Sequence, residues 1–159
     1  MTFRIGIGYD SHRFAEGRPL VLGGVRIPHP LGLAGYSDAD AAAHALTDAI
    51  LGAAGAGDIG HHFPDADPRW KDADSMDLLA RAHDVVRARG LACRQADLTI
   101  IAEGPRLAPH VAGMAENLAR RLGLAAADVS VKAKTNEGMG FIGRGEGLAV
   151  IAVATLEAR

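Results

Sequence analysis

Aromatic side chains make up only 4 % of the 159 residues, and cysteine occurs once, as Cys93. A single cysteine excludes an internal disulfide and any thiolate metal cluster. No apolar run reaches the roughly 20 residues that a membrane-spanning helix needs. Met1–Phe3 leads directly into a strand pattern, without the basic and apolar segments of a secretory signal. We therefore expect a cytoplasmic protein without a membrane segment.

The sequence also lacks an excess of one charge. Its formal net charge is −2, whereas a nucleic-acid-binding protein carries a basic stripe. Hydrophobic residues make up 48 % and charged residues 23 %, which is ordinary for a globular chain. We predict a single domain over residues 1–159 that binds neither nucleic acid nor membrane. Because its core must be built from small aliphatic side chains, association between subunits is an attractive further source of stability.

The order of the predicted elements indicates one α/β domain. Segments that alternate at period two predict strands, and apolar residues at helical spacing predict helices. Ser37-Asp38 supplies N-cap oxygens for the first helix, and Gly23-Gly24 marks a turn or bulge in the second strand segment. The predicted strands are 3–10, 20–27, 97–102, 129–135 and 148–156, the helices are 39–54, 75–89 and 109–123, and the main loops are 29–36, 58–74 and 136–147.

Asp10 and His12 form a D-x-H pattern at the end of the first predicted strand. Residues i and i+2 of a strand point to the same side, so the carboxylate and the imidazole are presented together while Ser11 faces away. The pattern alone is weak, because an ordinary hydrogen bond between the two side chains explains it at least as well.

His44 lies among alanines and leucines in the middle of the first predicted helix. A histidine in such surroundings is more often buried and hydrogen-bonded than a metal ligand. However, Asp40 and Asp48 lie one turn away on the same face. A carboxylate that accepts the second ring N–H orients a metal-binding imidazole, and we expect Asp48 to do so, with Asp40 as the substitute. Asp10, His12 and His44 then form the three-ligand set that zinc uses when a fourth position stays open.

Two glycine-containing loops hold the remaining candidates. Asp58 and Asp65 lie where backbone and side chains could approach a polyol, although surface-turn chemistry explains them equally. The segment from Lys134 to Gly147 places Glu137 and Arg144 among five glycines. Glycines allow close approach to phosphate, the cationic side chains supply charge, and a glutamate suits a hard cation. No Walker A motif occurs.

Several long stretches resemble the cyclodiphosphate synthase family of the non-mevalonate isoprenoid pathway, and together they span nearly the whole chain. The resemblance implies an α/β (α+β) subunit whose mixed sheet is covered by helices on one face. It also implies a homotrimer with the sheets packed around a three-fold axis and the active sites between subunits. The matching stretches are GYDSHRF (8–14), GGVRIP (23–28), SDADAAAHALTDAILGAAGAGDIGHHFPD (37–65), LTIIAEGPRLAPH (98–110) and VKAKTNEGMGFIGRGEG (131–147).

The resemblance also implies roles for individual residues. Asp10, His12 and His44 would bind zinc, and Glu137 would bind a second divalent cation, Mg²⁺ or Mn²⁺. Thr135 and Tyr36 would be the catalytic residues. The implied substrate-binding residues are Asp10, His12, Tyr36, Ser37, Asp58, Ile59, Gly60, Phe63, Asp65, Ala102, Pro105, Arg106, Leu107, Ala108, Lys134, Thr135, Asn136, Glu137, Phe141 and Arg144.

This sequence departs from the family pattern in two places. Tyr36 stands where many members carry a histidine, so either the role of that histidine is dispensable or the phenol fills it. The resemblance implies that residues 102–108, the cytosine segment, would line the cytosine pocket. Glu103 and Arg106 stand there where less acidic and lysine-like residues are expected. Recognition of cytosine by the backbone is compatible with both.

The implied reaction converts 4-diphosphocytidyl-2-C-methyl-D-erythritol 2-phosphate to 2-C-methyl-D-erythritol 2,4-cyclodiphosphate and CMP. It is a metal-assisted intramolecular phosphoryl transfer, which makes the enzyme a phosphorus–oxygen lyase. Two alternatives stay open: a zinc phosphohydrolase with Asp38 or Asp65 as base, and a non-catalytic trimer with structural zinc. In the implied trimer, Phe141, Arg144 and Glu146 point to the axis, where we expect a salt-bridge ring or an anionic ligand such as an isoprenoid diphosphate.

Overall fold

The computed structural model describes residues 3–159, and Met1 and Thr2 lie outside the described residues. Its central sheet contains β1 (Arg4–Ala15), β4 (Gly32–Leu33), β5 (Leu91–Ile101), β6 (Val129–Lys134) and β7 (Gly147–Ala158). The strands lie in the order β4-β1-β7-β5-β6. Neighbouring strands are antiparallel, except that β5 and β6 are parallel. The two remaining strands, β2 (Leu20–Leu22) and β3 (Val25–Ile27), form a separate hairpin.

Three helices, α1 (Ala41–Ala53), α3 (Ser75–Ala88) and α4 (Val111–Leu122), pack on one face of the sheet. One-turn helices, α2 (Ile59–His62) and α5 (Gly140–Gly143), interrupt two of the loops. Within residues 3–159, none of the helices has the length and apolar character needed to cross a membrane. The prediction of a mixed sheet with helices on one face is confirmed. Exposed apolar side chains lie on the other face of the sheet: Ile5, Ile7 and Tyr9 of β1, and Ile151 and Val153 of β7.

Small residues are concentrated where α1 crosses β1. A Cβ atom added at Gly8 would lie 1.8 Å from the carbonyl oxygen of Ala45, and one added at Gly6 would lie 1.9 Å from that of Ala49. The residues paired with these glycines on β7 are buried alanines. The helix backbone therefore lies directly on the strand backbone. This close approach explains how a chain with few aromatics forms a packed core, and it fixes the height of His44 above β1.

The N-terminus of α1 differs from the prediction, because its N-cap is Asp40 rather than Ser37-Asp38. The Asp40 carboxylate accepts hydrogen bonds from the backbone N–H groups of Ala43, Gly23 and Gly24 at 3.0, 2.8 and 2.7 Å. Gly23 and Gly24 both have positive φ, as the tight turn of the β2–β3 hairpin requires. One buried carboxylate thus joins the hairpin to the helix, and its burial raises the pKa of Asp40 to about 6.

Other elements differ from the prediction in extent. β1 continues past the D-x-H pattern to Ala15, and its end pairs with β4 inside a segment predicted as loop. β5 begins at Leu91 because antiparallel pairing with β7 supports its first residues, although their own pattern does not alternate. Three short helices replace parts of the predicted loops: α2, Pro68–Trp70 and α5. A fourth, Ala108–His110, precedes α4, which therefore begins later than predicted.

Candidate active site

The second half of β1 and the first turn of α1 bring three metal-ligating side chains together. The Asp10 Oδ2 atom lies 2.8 Å from His12 Nε2 and 3.2 Å from His44 Nδ1. The two ring nitrogens are 3.2 Å apart. The side chains of Asp10, His12 and His44 keep 26, 15 and 12 % of their exposure, so the triangle is accessible from one side. Among residues 3–159, this cluster of ligating side chains comprises these three and no fourth.

The triangle fits a zinc ion. Zinc binds nitrogen and oxygen at about 2.0–2.1 Å in tetrahedral geometry, which places ligand atoms roughly 3.3 Å apart. The observed separations of 2.8–3.2 Å need only a small expansion. Three ligands and an accessible side are the arrangement in which zinc keeps one position for a substrate.

Charge favours a cation at the same place. Burial alone would raise the pKa of the Asp10 carboxyl, but the contacts with His12 and His44 outweigh it and hold that pKa below its ordinary value. Burial alone would lower the pKa of His12, but its contact with Asp10 prevails and raises that pKa. Asp10 is therefore an anion near neutral pH, and its field attracts positive charge.

The ring of His12 is held in one orientation. Its Nδ1 atom lies 2.6 Å from the carbonyl oxygen of Ala34, to which it donates, so Nε2 faces Asp10. The backbone of Gly35 packs against the ring, because a Cβ atom added there would lie 3.2 Å from His12 Cε1. Arg18 in turn donates to the carbonyl oxygens of Gly35 and Ser37 at 3.0 and 2.5 Å. The loop that carries Tyr36 is thereby fixed beside the metal ligands.

The prediction that Asp48 or Asp40 holds His44 is wrong. Asp48 accepts instead from the backbone N–H of Ile59 at 2.8 Å, and Asp40 caps α1. The one-turn spacing does place these carboxylates on the face of His44, but backbone donors from the neighbouring loop and hairpin occupy them. The second ring nitrogen of His44, Nε2, lies 2.7 Å from the hydroxyl of Ser75, which the sequence did not indicate.

Beside the triangle lies a cavity of about 390 Å³ that gathers most of the predicted residues of the first half of the chain. Four lining residues were not predicted: Gly35, Pro64, Trp70 and Leu78. The rings of Phe63 and Trp70 meet edge to face at 5.1 Å and form one apolar wall. The predicted residues that line the cavity are Asp10, His12, Tyr36, Ser37, His44, Ile59, Gly60, Phe63 and Asp65.

Two of the predicted residues near this cavity have additional contacts. Asp58 is the N-cap of α2, where its carboxylate accepts from the backbone N–H of His61 at 2.9 Å. The hydroxyl of Tyr36 lies 3.5 Å from the carbonyl oxygen of Asp67, a distance at the limit of a hydrogen bond. This long contact holds the phenol only weakly.

Most of the remaining predicted residues form a second group at the ends of β5 and β6. These strands are parallel, so residues 102–108, which were predicted to bind cytosine and follow β5, lie beside the Lys134–Glu137 segment at the end of β6. Glu103 joins the two, because its carboxylate accepts from the backbone N–H groups of Asn136 and Gly138 at 2.8 and 3.2 Å. This contact gives the unexpected acidic residue a structural role. The predicted members of this second group are Ala102, Pro105, Arg106, Leu107, Ala108, Lys134, Thr135, Asn136 and Glu137.

The two groups do not share a cavity within the described part of one chain. β1 and β6 are separated by β7 and β5, which is three strand spacings or about 14 Å. Phe141 lines a different, smaller cavity of about 200 Å³ with Ser11 and Arg13. Arg144 pairs with Glu146 at 2.9 Å on the surface of the chain.

Comparison with known proteins identifies the family. The family model described as the YgbB family matches residues 3–157, which is nearly the whole chain. This chain belongs to the YgbB family. The predicted resemblance is confirmed, and the metal-ligating triangle and the cavity lie within the matched residues.

Relatives within the YgbB family carry a consistent description. The 2-C-methyl-D-erythritol 2,4-cyclodiphosphate synthase of Salinibacter ruber is 55 % identical over 154 residues, which cover 97 % of this chain and 98 % of the relative. A solved structure of a 2C-methyl-D-erythritol-2,4-cyclodiphosphate synthase with bound CDP has a TM-score of 0.89 and 44 % identity, covering 97 % of this chain and all of that one. The bifunctional IspDF of Campylobacter jejuni has a TM-score of 0.96 and 46 % identity, and 99 % of this chain matches 43 % of it.

Proposed function

We propose that this protein is a 2-C-methyl-D-erythritol 2,4-cyclodiphosphate synthase, and that it acts in isoprenoid precursor biosynthesis. It converts 4-diphosphocytidyl-2-C-methyl-D-erythritol 2-phosphate to the cyclic diphosphate and CMP, as a phosphorus–oxygen lyase of the cytoplasm. The observation that carries this proposal is the Asp10–His12–His44 triangle beside a cavity, in a chain whose relatives bear that name over nearly their full length.

The reaction forms one phosphorus–oxygen bond and breaks another. An oxygen of the 2-phosphate attacks the β-phosphorus, and CMP leaves with the bonding electrons. No general base is required, because the attacking phosphate oxygen is already ionised near neutral pH. Since both reacting groups belong to one molecule, folding the substrate in the cavity supplies a large effective molarity. We assign Asp58 and Gly60 to the ribose hydroxyls and Phe63 and Asp65 to the methylerythritol end. The second group of residues is assigned to cytosine and the phosphates.

Two cations are part of this proposal. Asp10, His12 and His44 would hold Zn²⁺, and Glu137 would hold Mg²⁺ or Mn²⁺. When bound, such ions neutralise the repulsion between the two anionic groups and polarise the β-phosphoryl group. The chain itself orients the substrate: Ser37 and Tyr36 border the metal ligands, and the exposed Thr135 and Lys134 stand where they can contact phosphate oxygens.

The hydrolase alternative is less well supported. It requires a base beside the metal centre, and Asp38 was one of two candidates. Both oxygens of Asp38 are already engaged: they accept from the hydroxyl and backbone N–H of Ser75 and from the backbone N–H of Asp40. Asp65 is an exposed residue at the cavity rim. The structural-zinc alternative needs a fourth protein ligand, and residues 3–159 supply three.

We also propose that the active unit is a homotrimer with shared sites. The uncovered sheet face carries Ile5 and Ile7 at 70 % exposure, which is a costly surface for an isolated subunit. Packing three such faces together would bury this surface. It would also bring the residues around the Asp10–His12–His44 triangle of one chain next to the second group of its neighbour. Arg144 and Glu146 would then lie near the axis, where their ion pairs form a ring or leave room for an anionic ligand such as an isoprenoid diphosphate.

Subunit mixing tests the shared site. His12→Ala and Glu137→Ala chains are each expected to be inactive alone. If every site uses two chains, random exchange of equal amounts restores about one quarter of the wild-type activity, because that fraction of sites pairs two intact halves. No recovery after proven exchange would mean that each chain works alone.

Phosphorus NMR of the products tests the reaction. The zinc-loaded protein, supplied with Mg²⁺ and the CDP-linked substrate, is expected to yield CMP and two coupled diphosphate resonances of a cyclic product. A hydrolase would release a linear phosphate ester instead. The His44→Ala variant serves as the control for contaminating phosphatases.

A further inference from the structure

We propose that Ser75 and Asp38 are positioning residues that set the ring tautomer of His44 and thereby its affinity for the metal ion. Ser75 is the first residue of α3, and Asp38 lies in the segment before α1. They and His44 form a chain of hydrogen bonds that connects both helices to the metal ligands. The inference rests on the metal centre proposed above.

The contacts are short and buried. His44 Nε2 lies 2.7 Å from the Ser75 hydroxyl oxygen, and that hydroxyl donates to Asp38 Oδ1 in a short hydrogen bond. The backbone N–H of Ser75 donates to the other carboxylate oxygen at 3.2 Å. Ser75 has no exposed surface, so solvent does not compete for its hydroxyl.

Counting protons fixes the tautomer. A serine hydroxyl has one proton, and here the carboxylate of Asp38 accepts it. The Ser75 oxygen must therefore accept from His44, which places the His44 proton on Nε2. A neutral imidazole has only one such proton, so His44 Nδ1 presents a lone pair to the triangle.

The same logic holds for His12, whose Nδ1 proton is used by the carbonyl of Ala34. Lone pairs of two imidazoles and one carboxylate oxygen thus converge within 3.2 Å. Such an arrangement is repulsive unless a metal ion or a proton lies among the three atoms. Ser75 and Asp38 therefore prepare His44 as a ligand before a metal ion arrives.

A second hydroxyl near the same nitrogen does not replace Ser75. The Ser37 oxygen lies 3.1 Å from His44 Nε2 and 3.2 Å from the Ser75 oxygen, and it accepts from the backbone N–H of Ala39. It has the longer contact with the ring and no carboxylate behind it. Ser75 is the stronger acceptor, because its own proton is drawn toward an anion.

Zinc affinity tests the proposal without any substrate. In competition with a chromophoric chelator, Ser75→Ala is expected to bind zinc about 10–100-fold more weakly than the wild type. Ser75→Thr keeps the hydroxyl and is expected to restore most of the affinity. Thr47→Val is the matched control: it removes another buried hydroxyl, one that donates to the Ala43 carbonyl at 2.8 Å, from the helix that carries His44. It should leave zinc affinity unchanged.

Nitrogen-15 NMR of histidine-labelled wild-type protein, recorded before and after zinc is added, tests the tautomer directly and does not depend on any variant folding. We expect a His44 Nε2–H signal that is protected from exchange in both states, and an Nδ1 that carries no proton before zinc is added and binds the metal afterwards. A proton on Nδ1, or a zinc affinity that is equal in Ser75→Ala and wild type, would overturn the proposal. If the wild type bound no zinc, the metal centre itself would be wrong, and this outcome is distinct from the other two.

Discussion

Replacing Gly8 with alanine tests whether the close contact between β1 and α1 builds the metal site. Gly8 does not contact a metal ligand itself, but it lies two residues before Asp10 and beneath the helix that carries His44. The added Cβ would meet the Ala45 carbonyl oxygen at 1.8 Å, whereas real Cβ atoms essentially never come closer than 3.0 Å. The two nearest atoms are the carbonyl oxygen and carbonyl carbon of Ala45, and neither can rotate away because both belong to the backbone. The strand and the helix must therefore separate by about 1.2 Å.

Two effects follow from that separation. Overpacking of this kind typically costs about 1–3 kcal/mol of the free energy of unfolding. His44 would also move away from Asp10 and His12, whose ligand atoms lie within 3.2 Å of it. Because a misplacement of about 1 Å costs a catalytic site on the order of 100-fold, we expect activity to fall by about that factor.

The assay compares urea unfolding, zinc affinity and activity of Gly8→Ala with those of Gly52→Ala. Gly52 lies on the same helix, and a Cβ atom added there meets nothing within 4 Å. Removing this exposed helical glycine should stabilise the protein by about 0.5–1 kcal/mol and leave zinc affinity and activity unchanged. If Gly8→Ala behaved like Gly52→Ala in zinc affinity and activity, the strand–helix contact would not position the metal ligands.

Three further predictions concern the site. His44→Ala should lose zinc and activity while the oligomer persists, as measured by metal analysis and light scattering, and unchanged zinc content would contradict the ligand assignment. Zinc affinity should fall as the pH is lowered through the pKa of His12, because protons compete with zinc for His12 Nε2. The contact with Asp10 raises that pKa above its ordinary value of 6.5. A zinc affinity that stays constant between pH 8 and about 6 would contradict this prediction. Glu103→Ala should raise the KM for the CDP-linked substrate several-fold without changing zinc affinity, since it frees the loop at Asn136 and Gly138; an unchanged KM would mean that this anchor is not needed.

The sequence predicted the metal triangle because its geometry is largely local. Asp10 and His12 face the same side of one strand, a consequence of the period-two alternation. His44 was indicated by the carboxylates one helical turn before and after it, although neither proved to be its partner. Most strands and helices were predictable for the same reason, since strand alternation and helical spacing are read within short windows. The mixed sheet with helices on one face was an implication of the family resemblance. Loops were less well predicted, because one-turn helices such as α2 depend on a single capping carboxylate.

Contacts between distant segments could not be predicted in this way. Ser75 is 31 residues from His44 and opens a helix after a long loop, so no local pattern points to it. Asp48 satisfied the spacing rule for a partner of His44, but the backbone N–H of Ile59 competes for it. β5 extends back to Leu91 only because β7 is beside it. In each case a distant segment of the chain determined the outcome.

The most direct test of the proposed function is to follow oxygen from solvent. Incubation of the zinc-loaded protein with the CDP-linked substrate in ¹⁸O-labelled water, followed by mass spectrometry of both products, distinguishes cyclisation from hydrolysis. Intramolecular attack by the 2-phosphate predicts unlabelled CMP and an unlabelled cyclic diphosphate. Incorporation of one ¹⁸O atom into either product would show that water attacks the phosphorus, and would contradict the proposed function.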